Sequence, residues 1–249
     1  MEAWLQRGFG VRFDWGPEGA RRLAPDSAYA VVVDVLSFTT SVSVLVDGGT
    51  RVRPRAWHAQ PVEGDIPVAV GRRATTAERP WSLSPAALRR APRLAELVLP
   101  SPNGSAISAA IQQHCGLVAG SLRNAGAVGR WLRGAGVGTP ERPLTVIAAG
   151  ERWPDGSLRP ALEDLLGAGA VIAALGAAAL SPEAATAARA FHTCTDLRAT
   201  IMDSASGREL VESGFGDDVE IALERDTSHA VPVLRDGAFS AADPGSGVG

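Results

Sequence analysis

Short apolar runs alternate with helical stretches along most of the chain. The clearest run, Tyr29–Val33, is rich in β-branched residues and ends at Asp34, which is typical of a strand buried on both faces. Serine and threonine then favour a helix start, and Gly48 with Gly49 ends that helix. This segment therefore predicts a strand, a short turn and a helix.

The same alternation recurs towards the C-terminus. Further strands are predicted at 97–99, 117–119 and 144–149, and helices at 105–113, 125–133, 161–180 and 182–191. The less regular segment 64–84 predicts a strand at 67–71 and a polar loop at 72–80, and segment 207–222 predicts one more helix. Strands that alternate with helices indicate an α/β fold with a mostly parallel or mixed sheet flanked by helices.

The length of 249 residues suits one large α/β domain. We expect a single catalytic domain over 1–239, with two intimately packed subdomains as the alternative. Residues 240–249 are rich in Gly, Ala, Asp and Pro and predict a disordered tail.

The amino-acid composition excludes several functional classes. The net charge of -3 predicts no nucleic-acid partner and no anionic membrane surface. All 24 basic residues are arginine, which excludes a lysine Schiff base and a P-loop lysine. Two cysteines, Cys115 and Cys194, and an N-terminus without an apolar core predict a cytoplasmic protein. The Ala-rich run 168–180 is shorter than the roughly 20 residues that span a membrane.

Polar side chains follow four of the predicted strands. They are Asp34, Ser101 with Asn103, Arg123 with Asn124, and Glu151 with Arg152. In an open α/β sheet, ligands bind at the carboxyl ends of the strands. We therefore expect these residues to surround one crevice.

Each of these groups has a structural alternative. Asp34 is a metal ligand, a nucleophile or base, or a helix N-cap. The segment Ser101-Pro102-Asn103-Gly104-Ser105 precedes a helix whose free N–H groups attract an anion, or it forms an ordinary turn with a cap. Arg123 can hold a phosphate through two parallel hydrogen bonds, or it is a surface arginine at a helix start.

Glu163 and Asp164 are adjacent in a predicted helix. Their side chains should therefore differ by about 100° in direction, so that only one faces the crevice. Carboxylate oxygens suit Mg²⁺, although a solvated acidic pair is the alternative. The sequence contains no GxSxG, GxGxxG, Walker A or DxDxT pattern.

Six motifs in order resemble those of the 2-phosphosulfolactate phosphatase family, over about residues 29–235. They are Asp34-Val-Leu-Ser37-Phe-Thr39-Thr40, Ser101-Pro102-Asn103-Gly104-Ser105, Ser121-Leu-Arg123-Asn124-Ala125, Gly150-Glu151-Arg152-Trp153, Glu163-Asp164-Leu-Leu-Gly167-Ala168-Gly169 and Ser206-Gly207-Arg208-Glu209-Leu210. The resemblance implies a Mg²⁺-dependent hydrolase with an α/β fold of its own that forms homo-oligomers. Its expected reaction converts 2-phospho-3-sulfolactate to sulfolactate on a coenzyme M pathway.

The motif positions supply the expected site. We assign Asp34, Glu151 and Arg152 to catalysis, and Asp34, Glu151, Glu163 and Asp164 to Mg²⁺. The expected substrate-binding residues are Ser101, Asn103, Gly104, Ser105, Arg123 and Asn124.

This sequence departs from the family pattern in three places. Ser37 stands where the family usually has arginine, and Gly71-Arg72-Arg73-Ala74-Thr75 replaces a Gly-Glu-Arg-Gly-Gly stretch. A Gly-Asn-Ser-Pro stretch is reduced to Leu83-Ser84-Pro85. Arg72 or Arg73 would compensate for the missing arginine. These departures leave two alternatives open, a phosphatase for another phosphorylated hydroxy acid and a homologue that binds an anion without turnover.

Overall fold

The computed structural model describes residues 2–57 and 66–242. The strands are β1 Val11–Trp15, β2 Tyr29–Val33, β3 Arg51–Ala56, β4 Glu96–Ser101, β5 Gly116–Gly120, β6 Leu144–Ala148, β7 Glu151–Arg152, β8 Leu158–Arg159, β9 Pro232–Arg235 and β10 Ala238–Ala241. The helices are α1 Gly16–Leu23, α2 Phe38–Asp47, α3 Pro85–Arg90, α4 Gly104–Ile111, α5 Ala125–Gly134, α6 Leu162–Leu175, α7 Pro182–Thr193, α8 Leu197–Met202, α9 Ala205–Glu212 and α10 Gly216–Ala222. Short 3₁₀ turns lie at Ala3–Leu5, Ala24–Asp26 and Arg72–Ala74.

One mixed sheet organises the described residues, in the order β1-β6-β2-β5-β9-β10-β3-β4. The first four strands run parallel to one another, as do β3 and β4. The antiparallel hairpin β9–β10 lies between these two parallel groups. A separate small hairpin, β7–β8, follows β6 directly.

Helices cover both faces of the sheet. Successive residues of β2 alternate between the faces, so that Val31 and Val33 pack into one core whereas Ala30 and Val32 pack into the other. Helices α5, α6 and α7 contribute to the first core, and α1, α2 and α4 to the second. The predicted α/β class is confirmed, because a strand covered on both faces requires the continuous apolar run seen in the sequence.

Several elements escaped the sequence analysis, among them the strands β1 and β3 and the helix α1. The strand β3 carries Arg51 and Arg53, whose guanidinium groups pair with Glu96 of β4, so that its sequence is charged. The strand β1 reads Val-Arg-Phe-Asp-Trp and alternates apolar and polar residues over only five positions, and α1 begins with Gly-Pro. Both elements are too short for a local pattern to identify them.

Three predicted elements were wrong in extent. The helix predicted over 161–180 ends at Leu175, because Gly176 takes the left-handed conformation that closes helices. The helix predicted over 207–222 is split into α9 and α10, with Gly214 at φ +86° in the break. Segment 67–71 forms only isolated bridges through Val68 and Val70 instead of a strand.

The C-terminal boundary also differs from the prediction. Ser240 and Ala241 were expected in a disordered tail, but they pair with Val233 and Pro232 in β10. Residues 243–249 of that predicted tail lie outside the described residues, as do residues 64 and 65 of the irregular segment. Among the described helices, none combines the length and the hydropathy that crossing a membrane would require.

Candidate active site

Asp34 lies at the carboxyl end of β2, between the first residues of two helices. Its Oδ1 accepts a hydrogen bond from the Phe38 backbone N–H at 3.1 Å, and its Oδ2 accepts one from the Gly104 N–H at 2.8 Å. A Cβ on Gly104 would lie 2.7–2.8 Å from Phe38 and Asp34, so only glycine lets α4 approach this closely. Asp34 is therefore both a helix cap and a buried carboxylate at a crevice.

The crevice beside Asp34 has a volume of about 300 Å³. Its described lining includes Asp34, Leu36, Ser37, Trp57, Gly71, Arg72, Leu83, Ser101, Pro102, Asn103 and Glu151. The structure thus brings together four of the predicted site residues: Asp34, Ser101, Asn103 and Glu151. Ser101 Oγ lies 3.5 Å from Asp34 Oδ2, and Asn103 Nδ2 donates to Glu151 Oε2 at 2.8 Å.

Glu163 and Asp164 are both buried, so the alternative of a solvated acidic pair is wrong, and neither of them lines the crevice. Asp164 accepts hydrogen bonds from the backbone N–H groups of Val35 at 2.7 Å and Gly150 at 2.8 Å. Asp164 therefore ties the loops after β2 and β6 together. Glu163 Oε2 lies 3.4 Å from Ser204 Oγ, in the turn before α9.

The four carboxylates repel one another. Burial, followed by repulsion from Asp34, raises the pKa of Glu151 to about 7. Burial is also the main cause of the raised pKa values of Asp34, Glu163 and Asp164, and their neighbours' negative charges add to the effect for Glu163 and Asp164. Acidic groups are therefore concentrated in this part of the protein, and its own cations compensate their charge poorly.

The two nearest arginines do not cancel that charge by direct pairing. Arg72 forms its ion pair with Asp218, and Arg159 forms its ion pair with Glu209. Both act on the cluster only through their charge at longer range. The charge of Arg72 lowers the pKa of Asp34, and the charge of Arg159 lowers the pKa of Glu151, but neither outweighs the effect of burial. A cation bound in the crevice would relieve the repulsion.

Within the described residues, the four carboxylates predicted to bind Mg²⁺ do not converge on one metal site; they are Asp34, Glu151, Glu163 and Asp164. Over residues 2–57 and 66–242, no three His, Cys, Asp or Glu side chains converge in an arrangement that could hold a metal ion. Neither Glu163 nor Asp164 lines the crevice, because Asp164 joins the loops after β2 and β6 and Glu163 faces Ser204. Asp34 and Glu151 remain as the carboxylates that line the crevice.

The prediction that Arg123 and Asn124 reach this crevice was wrong. Arg123 is buried and pairs with Asp47 and Glu224, and its Nε donates to Ser43 Oγ at 3.2 Å. It lines a different cavity of about 260 Å³, next to Arg89. The side-chain oxygen of Asn124 accepts from the Ser121 N–H at 2.8 Å, which fixes the turn before α5.

Three other predicted residues lie near the crevice without lining it. Gly104 uses its N–H for Asp34, as described above. The Ser105 hydroxyl is fully buried between Arg55 O and Leu99 O, where it joins α4 to the sheet. Arg152 is exposed, and its guanidinium donates to Gly156 O at 3.0 Å within the β7–β8 hairpin.

Sequence reasoning missed Trp57 and Leu83 as lining residues, and it named Arg72 and Ser37 only as departures from a family pattern. Arg72 Nη2 donates to Ser37 Oγ at 2.6 Å, so these two positions meet in space. Their separation by 35 residues gave no signal of this contact. The contact places Arg72 beside Ser37, and the hypothesis that Arg72 or Arg73 compensates for the missing arginine stays a prediction.

Comparison with known proteins adds two kinds of evidence. The model of a family described as 2-phosphosulpholactate phosphatase matches residues 17–237. A probable 2-phosphosulfolactate phosphatase of Thermotoga maritima is 28% identical over 217 residues, covering 84% of this chain and 90% of the relative. A protein of Thermotoga petrophila with the same description is 29% identical over 217 residues, with the same coverage.

Proposed function

Because the chain belongs to the 2-phosphosulpholactate phosphatase family, whose members are phosphoric monoester hydrolases, we propose that it hydrolyses a small phosphate monoester with Mg²⁺. The proposed reaction converts 2-phospho-3-sulfolactate to 3-sulfolactate and phosphate, as a step of coenzyme M biosynthesis. The observation that carries this proposal is the crevice lined by Asp34 and Glu151, in which negative charge is concentrated at the carboxyl end of β2.

The crevice fits Mg²⁺ in charge and in donor type. Mg²⁺ is usually held by one or two carboxylates, with water and substrate phosphate as its other ligands. Asp34 and Glu151 would hold the ion, and a further role for Glu163 or Asp164 would be indirect. Bound there, Mg²⁺ would supply neutralisation of the charge on the phosphate oxygens.

The remaining groups position these two carboxylates. Phe38 and Gly104 hold the oxygens of Asp34 with backbone N–H groups, and Asn103 holds Glu151. Hydrolysis adds one water, whose oxygen forms a bond to phosphorus while the bond from phosphorus to the alcohol oxygen breaks. The alcohol oxygen takes up a proton, and the crevice is wide enough for a small substrate and its water.

A phosphatase for another phosphorylated hydroxy acid is the second candidate. It is favoured by the Ser37–Arg72 pair in the crevice wall, because a change of charged groups there changes which acid is accepted. The cytoplasmic location and the homo-oligomer stay predictions from the sequence.

The test is phosphate release by the purified protein with Mg²⁺ or with EDTA. The panel contains 2-phosphosulfolactate and 2-phospholactate, which lacks the sulfonate. Mg²⁺-dependent release that is fastest with 2-phosphosulfolactate supports the proposal. Fastest release with another acid favours the second candidate, and no release from any ester contradicts both.

A further inference from the structure

Arg72 projects into the crevice wall from the short 3₁₀ turn Arg72–Ala74. Its Nε donates to Asp218 Oδ2 at 2.9 Å, and its Nη2 donates to Ser37 Oγ at 2.6 Å. Among the described residues that line the crevice, Arg72 is the positively charged side chain, whereas Asp34 and Glu151 are acidic. An anionic ligand that enters the crevice therefore meets one protein cation.

Asp218 forms the ion pair that fixes the guanidinium of Arg72. The carboxylate is only 1% exposed, and its Oδ1 accepts from Ser84 Oγ at 2.5 Å and from the Ala86 N–H at 3.1 Å. The ring of Phe215 lies 5.8 Å from Arg72 Cζ. Since Asp218 is itself fixed by Ser84 and Ala86, the side chain of Arg72 is preorganised before a ligand arrives.

The geometry leaves donors of Arg72 available. A guanidinium carries five N–H groups, and the contacts with Asp218 and Ser37 use one on Nε and one on Nη2. Within the described part of the chain, Nη1 has no hydrogen-bond partner in the crevice wall. Two parallel N–H groups match the two oxygens of a carboxylate, a sulfonate or a phosphate.

We propose that Arg72, positioned by Asp218, binds an acidic group of the substrate. For the identity of the substrate this assignment rests on the proposed function, but it requires no turnover. Nothing else in the described crevice wall offers a full positive charge to that group. Asp218 is a positioning residue, because it contacts the guanidinium and does not line the crevice.

The first test compares Arg72→Gln with Arg73→Gln. Arg73 lies in the same 3₁₀ turn but is exposed and does not line the crevice, which makes it a matched control. Loss of a charge-assisted contact should raise KM for the phosphate ester about 10- to 100-fold in Arg72→Gln. Arg73→Gln should keep the wild-type KM. An unchanged KM in Arg72→Gln overturns the assignment.

A second variant tests whether a loss of binding is caused by misfolding. Arg72→Gln leaves the buried Asp218 without its cation, so we pair it with Asp218→Asn to remove the orphaned charge. The double variant should keep the wild-type Tm and lose the binding of anions. A double variant that binds anions like the wild type contradicts the proposal.

Binding of simple anions separates this assignment from the proposed function. Calorimetric titration with inorganic phosphate and with methanesulfonate should show binding to the wild type and a loss in Arg72→Gln, whether or not any ester is hydrolysed. Asp218→Asn should weaken this binding less than Arg72→Gln, because the guanidinium is still present but less well fixed. A wild-type protein that binds neither anion overturns the assignment even if it releases phosphate.

Discussion

Two polar clusters follow neighbouring parallel strands and are built in opposite ways. The carboxylate cluster consists of Asp34, Glu151, Glu163 and Asp164 and surrounds the end of β2. The arginine cluster consists of Arg123, Asp47, Glu224 and Arg89 and lies beyond the end of β5. From the sequence alone, both strand ends were equally good candidates for binding the substrate.

Charge balance distinguishes the two clusters. In the arginine cluster, hydrogen bonds from Arg89 and the charge of Arg123 lower the pKa of Glu224, so each charge has an opposite partner. In the carboxylate cluster, the pKa values are raised and the nearby arginines pair elsewhere. A cluster that is already neutralised stabilises the fold, whereas an unbalanced one is suited to an external cation.

The largest expected effect is that of Asp34→Asn on turnover. The substitution removes one of the two charges proposed to hold Mg²⁺, and we expect kcat for phosphate release to fall by at least about 100-fold. Asp47→Asn, in the arginine cluster, is the control and should keep the wild-type kcat. Wild-type turnover in Asp34→Asn would remove Asp34 from the site, provided that circular dichroism shows a folded protein.

The next effect concerns the pH dependence of stability in Glu151→Gln. The folded protein keeps a proton on Glu151 up to about pH 7, whereas an unperturbed glutamate loses it near 4.5. Between these values the folded state binds more protons, so its stability falls as pH rises from about 4.5 to 7 and then changes no further through this group.

Glu151→Gln should remove this contribution. In EDTA, the variant should gain about 1–3 kcal/mol relative to the wild type between pH 5 and pH 8, as measured by urea unfolding. Glu224→Gln, whose carboxyl has a lowered pKa, should show no such gain. A wild-type-like pH profile in Glu151→Gln would mean that Glu151 is not in the repulsive environment described here.

The smallest effect on turnover is expected for Arg123→Gln. It leaves Asp47 and Glu224 without a shared partner, which should lower the free energy of unfolding by about 1.5–3 kcal/mol. The kcat per folded molecule should remain at the wild-type value, because Arg123 lines another cavity. A large loss of kcat with unchanged stability would show that the arginine cluster takes part in the reaction.

The central strands were predicted well from the sequence, because a strand that is buried on both faces consists mainly of consecutive apolar residues. Tyr29–Val33 is a continuous apolar run and Leu144–Ala148 is interrupted only by Thr145, and each forms a strand with a neighbour on both sides. The strand β3 could not be found in this way, since its arginines are neutralised by Glu96, a residue about 40 positions away. Pairing across strands is invisible in a local pattern.

The site was predictable only in part, for a related reason. Asp34, Ser101, Asn103 and Glu151 follow strands that the sequence revealed, and they do meet. Whether a polar residue faces a ligand or another side chain depends on partners from distant segments, such as Glu224 for Arg123. The position of Arg72 depends on Asp218, 146 residues later in the chain.

The hairpin β9–β10 has a consequence for the order in which the protein is assembled. Ribosomes deliver the N-terminal segments first, yet residues 232–241 form the hydrogen-bonded bridge between β5 and β3. Until they emerge, the strands that carry Asp34 and Ser101 belong to two sheets with open edges, which are surfaces prone to aggregation. Among the described strands, the two that are synthesised last thus complete a site to which they contribute no lining side chain.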